Sequence, residues 1–407
     1  MAARSFLIRP YFRNLDGLRG LFFILVFISH GCSYHAPELV SHWVAPVVAL
    51  GVIHNGALVL SFFFVMSAFL ITLLLLREQQ ATGRISVGAF YLRRALRIWP
   101  LYIMVLLYGF VIYPWMRATG QHPHVETAIA WHYLLCVQNW DIAAGRYPQF
   151  APLFVTWSVA IEEQFYLIWP LMLLLVPPRR LVPVLSLLLA GTMGWQLAYG
   201  DVAFHSLTCA SDLLVGSLLA VGVFLAQQYR WPWARWWMLA LVRLPRLFIL
   251  GLWVWAFYLY RHGLSEAPAL LRPFERLTVD VTAGLVLLEQ NYGRYSLFKL
   301  GRVHVFRRLG QLAYGLYLLH YIAIVFVSDV YYFLHLHKTV WDVVLIMPLA
   351  SFGLAVGASI VSFRYFELPF LRSYARLRQV LDALPGFGLA AVPVMPVAEK
   401  ATPVEPC

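Results

Sequence analysis

Long apolar runs separated by short polar stretches recur along almost the whole chain. Ten of them approach the roughly 17–25 residues that a bilayer-spanning helix requires. They lie at 18–35, 56–76, 98–116, 157–176, 181–199, 207–228, 246–260, 277–292, 311–333 and 341–363, those at 246–260 and 277–292 being the shortest. The pattern predicts an all-α fold, a polytopic bundle of about ten transmembrane helices. The first run is too long for the apolar core of a signal peptide and is followed by many of its kind, so it reads as a membrane helix. Residues 1–378 are expected to form one membrane domain. From 379 to 407 the chain turns to Pro, Ala and Val, with Pro393, Pro396, Pro403 and Pro406. That composition predicts a disordered tail.

Composition agrees with lipid as the solvent. Of the 407 residues 61% are hydrophobic and only 12% charged, against about 25% charged in an ordinary soluble domain. The net charge of +12 raises the question of nucleic acid, and its distribution answers it. With the N-terminus in the cytoplasm, ten crossings leave only Arg117, Arg146, Arg261, Arg272, Arg276 and Lys338 outside. The other 25 of the 31 basic residues fall on the cytoplasmic side. Such a bias sets membrane orientation. It predicts both termini in the cytoplasm and accounts for the charge without nucleic acid. Cys32, Cys136, Cys209 and Cys407 lie far apart and have no metal or redox spacing.

Four features carry candidate chemistry. The first run opens Asn14-Leu15-Asp16-Gly17-Leu18-Arg19-Gly20 and reaches His30. Arg19 and His30 share a helix face about 16 Å apart, and Asp16 lies one turn before Arg19. An ionisable residue at such depth is either functional or a neutral histidine bonded to a neighbouring helix. The second feature is Arg93-Arg94-Ala95-Leu96-Arg97 at the start of the third run. Arg94 and Arg97 share a face and suit either phosphate groups or lipid headgroups. The third is Trp157-Ser158 followed by Glu162-Glu163-Gln164-Phe165-Tyr166. Glu162 and Tyr166 share a face, with Glu163 about 100° away. One carboxylate could orient a histidine; the alternative is an ion pair to an arginine of another helix. The fourth runs Leu309-Gly310-Gln311-Leu312-Ala313-Tyr314-Gly315-Leu316-Tyr317-Leu318-Leu319-His320, and Phe366-Glu367-Leu368-Pro369 follows later.

In this order the motifs resemble the acyltransferase-3 family of integral membrane O-acyltransferases. The resemblance runs from about residue 14 to 372 and includes Ser61-Phe62-Phe63-Phe64-Val65-Met66-Ser67. There are departures: Ala68 stands where the family usually has glycine, and the segment around Asp212 lacks an arginine often found there. Some members append a soluble esterase-like domain, which is not expected in these 407 residues.

The resemblance implies transfer of an acyl group, expected to be acetyl, from cytoplasmic acyl-CoA to a hydroxyl of a sugar, a surface polysaccharide or a glycosylated natural product. It also implies a bacterial inner membrane. Acyl-CoA is then the donor substrate, with no permanently bound cofactor and no metal. On this reading His30 is the base, Glu162 or Glu163 supports it, and Arg19 holds Asp16 or the thioester end. Arg94 and Arg97 take coenzyme A phosphates, and Asp16, Tyr166 and His320 line the pocket. The alternative is a proton-coupled transporter or a flippase of lipid-linked glycans, in which His30, Glu162 and Asp212 form a proton relay.

Overall fold

The computed structural model describes residues 12–35, 56–118, 126–200, 202–228, 231–262, 268, 271–336, 339 and 341–383. Every regular element among them is helical. The principal helices are α1 (Arg13–His35), α2 (Gly56–Thr82), α3 (Val87–Leu107), α4 (Ala130–Leu134), α5 (Gln138–Ala143), α6 (Trp157–Leu175), α7 (Leu181–Tyr199), α8 (Ser206–Gln228), α9 (Pro232–Val242), α10 (Arg246–His262), α11 (Arg272–Tyr292), α12 (His304–Gln311), α13 (Ala313–Phe333), α14 (Met347–Val361) and α15 (Leu368–Ala383). Wide π-type turns at Tyr108–Ile112, Asp342–Ile346 and Ser362–Glu367 extend α3 and flank α14.

All ten expected crossings coincide with helices, but they are not equivalent. Seven spans are long and apolar enough to cross a membrane alone, and α9 with α10 makes an eighth only as a pair bent by 88°. The run at 246–260 is therefore one arm of a broken element. The helices α1 and α11 are not among the eight. Arg13, Asp16, Arg19 and His30 interrupt the first, and Glu275, Arg276, Asp280 and Glu289 the second. Helix α15 continues past the expected domain boundary at 378 to Ala383, and the tail from 384 to 407 lies outside the described residues.

Burial is inverted relative to a soluble protein. Leu175 is 83% exposed and Leu247 82%, whereas Asp212, Asp280, Glu289, Gln290 and His320 are fully buried. In water that arrangement would be ruinous; in lipid it is the stable one, because tails solvate leucine and cannot solvate carboxylates. Lipid also removes the hydrophobic drive between helices, so small residues must let backbones approach. A Cβ on Gly310 would stand 1.7 Å from the Asp16 carbonyl oxygen, and one on Gly20 1.9 Å from that of Phe306. The glycines of the first and fourth motifs thus clamp α12 to α1. Gly216 does the same for α8 against the Val65 carbonyl of α2, at 2.2 Å.

Candidate active site

The deepest imidazoles form a pair. His30 on α1 places Nδ1 2.9 Å from Nε2 of His320 on α13. The rings are nearly parallel, at 10°, with centroids 5.2 Å apart, and Tyr321 lies 4.9 Å from His30. Nδ1 of His320 is 2.6 Å from the carbonyl oxygen of Tyr317 in its own helix. The Tyr317 hydroxyl donates to the Val155 carbonyl at 3.0 Å and accepts from Ser158 at 2.7 Å. The N-terminal turn of α6 therefore braces the segment that carries His320.

Further along α1, toward its N-terminus, the chemistry changes to guanidinium and carboxylate. Arg19 pairs with Asp16 at 3.6 Å, as their spacing predicts. Glu162, one turn beyond Ser158 on α6, faces the hydroxyls of Ser67 and Tyr166 and lies near Arg19 and Arg94. Ser67 and Tyr166 are themselves 2.8 Å apart. Glu163 points elsewhere, as its place on the helix requires, and accepts a hydrogen bond from Trp99 at 3.1 Å. The Arg94 guanidinium lies 5.6 Å from the ring centres of both Phe90 and Tyr166. Its Nε–H is buried without a hydrogen-bond partner, as is one oxygen of Glu163. The neighbouring arginines are committed: Arg93 to Glu78 at 3.2 Å, Arg97 to Glu367 at 3.8 Å. The π-type turn that ends at Glu367 and the absence of a side chain on Gly315, whose Cβ would lie 3.2 Å from a Glu367 oxygen, admit that carboxylate.

Two placements separate residues that the sequence reading grouped. The His30 imidazole meets His320 and Tyr321, while Glu162 sits among Ser67, Tyr166, Arg19 and Arg94. The cause is helical phase and rise. Ser158 reaches the histidine end, and Glu162 lies about 6 Å further along α6. Arg97 is also not equivalent to Arg94, because Glu367 neutralises it.

A family profile described as an acyltransferase domain matches residues 12–363, nearly all of the described chain. The chain belongs to the acyltransferase-3 family. Among curated relatives, it is 29% identical over 391 residues to a peptidoglycan O-acetyltransferase, OatA, of Listeria monocytogenes, covering 89% of this chain and 56% of that protein. It is 30% identical over 230 residues to an O-acetyltransferase OatA of Staphylococcus aureus, covering 52% of this chain and 34% of that one. The chain thus spans about half, or less, of the length of these relatives. No solved structure matches it.

Membership makes this bundle a membrane acyltransferase domain, and it gives meaning to residues without an assigned role in the motifs. Gln164 donates to the Cys136 carbonyl at 2.7 Å and to Asn139 at 2.8 Å, and accepts from Ser206 at 2.5 Å. Gln138, fully buried, donates to Tyr102 and to the Thr156 carbonyl, each at 3.0 Å. These bonds tie the stretch carrying α4 and α5 into the bundle beside the turn that braces Tyr317. The same stretch presents Trp131 and Trp140 outward and joins Asp141 to His132 and Arg146. Burial works against the Asp141 carboxylate, but Arg146 and His132 hold it below the usual carboxylate range. His122 and His124 lie outside the described residues. The arginine missing from the sequence around Asp212 comes from α11: Arg276 contacts both Asp212 oxygens at 2.8 Å.

Proposed function

We propose that this domain moves an acetyl group from cytoplasmic acetyl-CoA to a hydroxyl of a cell-surface polysaccharide across a bacterial inner membrane. The observation that carries the reading is α1 itself. One helix holds Arg19 near one end and His30 about three turns on, and each is met by residues suited to a different half of the reaction. At the arginine end, Arg94 offers an unpaired buried N–H, suited to a phosphate or to the thioester oxygen. At the histidine end, the imidazole pair suits proton removal from an acceptor hydroxyl. The basic-residue bias supports placing the arginine end toward the cytoplasm, where coenzyme A is found. The relatives' names point to a cell-wall glycan as acceptor.

In the proposed reaction the acceptor hydroxyl gives its proton to His30 as its oxygen attacks the thioester carbonyl. The carbon–sulfur bond breaks and the thiolate leaves on the donor side. Arg94 holds the donor, and Glu162 with Ser67 and Tyr166 keeps the guanidinium in place. Purified protein in vesicles, given acetyl-CoA and glycan fragments, should release free thiol in proportion to acetylated glycan. Glycan movement across the vesicle without thiol release would favour the transporter alternative instead.

A further inference from the structure

We propose that His320 is the positioning residue of the reaction: it holds His30 in the tautomer whose Nε2 is free to accept a proton, and it shares the charge that results. The inference rests on the O-acyl transfer reading above. A carbonyl oxygen only accepts hydrogen bonds, so His320 Nδ1, 2.6 Å from the Tyr317 carbonyl, must carry hydrogen. The neutral ring then presents a bare Nε2. His30 Nδ1, 2.9 Å from that atom, must in turn be the N–H donor. What remains is the lone pair on His30 Nε2. The order of hydrogens is dictated from the backbone outward, as a buried carboxylate dictates it in a serine-protease triad.

The surroundings keep this order. His320 is fully buried, with Phe23 and Phe27 edge-on at 6.0 and 6.4 Å, so water cannot take its place. Tyr317 is held by Val155 and Ser158, which fixes the carbonyl that starts the chain. In the reaction the acceptor proton goes to His30 Nε2, the acceptor oxygen bonds to the acyl carbon, and the carbon–sulfur electron pair leaves on sulfur. The positive charge on His30 is spread through Nδ1–H to His320. His30 then releases its proton to water on the acceptor side, and the thiolate takes one from water on the donor side.

Steady-state kinetics of wild type, His320→Phe and His320→Gln test this, with melting temperature in detergent measured alongside. Phenylalanine keeps the ring packing but cannot accept a hydrogen bond. It should leave both KM values within about threefold and lower kcat by about 10²-fold or more. Glutamine can accept from His30 Nδ1–H and should recover about tenfold of that loss. Should His320→Phe fail to fold, His320→Asn, too short to reach His30, takes its place in the comparison. Near-normal kcat in the phenylalanine variant, a loss confined to KM, or equal losses in both variants would overturn the inference. Wild type without acceptor-dependent thiol release would overturn the transfer reading itself, a separate outcome.

Discussion

The two ends of the polar line along α1 solve different problems. At the arginine end charges are met by charges: Asp16 with Arg19, Glu78 with Arg93, Glu367 with Arg97. At the histidine end the imidazoles' contacts among the described residues are neutral: each other, the Tyr317 carbonyl and aromatic rings. A region built to hold a multiply charged donor gains from a lattice of compensated arginines with one N–H to spare. A region built to move a single proton gains from neutral partners that specify where hydrogens sit. On the proposed reading, the difference separates binding from chemistry along one helix.

The largest effect is expected from His30→Ala. It should lower kcat by about 10²–10⁴-fold while donor KM stays put, read from thiol release by folded protein. Next comes Glu162→Gln. If this carboxylate belongs to the binding end, donor KM should rise by about tenfold or more and kcat change less; the reverse split would return Glu162 to the histidine. Arg97→Ala should cost about 1–3 kcal/mol of stability by leaving the buried Glu367 carboxylate unpaired. The double variant Arg97→Met, Glu367→Met should regain most of it in thermal unfolding. Arg94→Ala should weaken donor binding about tenfold, and raising salt should narrow the gap from wild type. The smallest effect is expected outside the line, at Asp141. Its folded pKa is depressed, so its contribution is present above the unfolded pKa and is lost as pH falls through the folded value. Fluorescence of Trp131 and Trp140 should report loosening on acidification, and Asp141→Asn should abolish that transition with under about twofold change in turnover at neutral pH.

Much of this was legible in the residues. Apolar run length is a property of single segments, so all ten helices could be found without knowing their neighbours. Helical phase likewise separated Glu162 from Glu163 and paired Asp16 with Arg19. Partnerships between distant segments were not legible. His30 and His320 are 290 residues apart, and Asp212 and Arg276 are 64. Nothing in spacing says which helices adjoin. That Glu162 sits with the arginines was not legible either, because it depends on the axial offset of α6 against α1, which packing alone determines. The polar residues of α1 and α11 did not hide them: both runs read as crossings and both are helices, although neither is among the spans long and apolar enough to cross alone. Of their charges, Arg19 meets Asp16 within α1 and Arg276 of α11 meets Asp212 of α8.

The glycine clamp between α1 and α12 has a mechanical consequence. Gly310 rests against Asp16, Gly20 rests against Phe306, and both histidines stand about ten residues further along their chains. A slip of one residue at the clamp would carry His30 about 1.5 Å past His320, enough to part a contact of 2.9 Å. The motif glycines therefore act as the datum surface from which the distance between the two imidazoles is set. A single methyl group there, far from any substrate, should spoil the alignment of the imidazoles as surely as removing one of them.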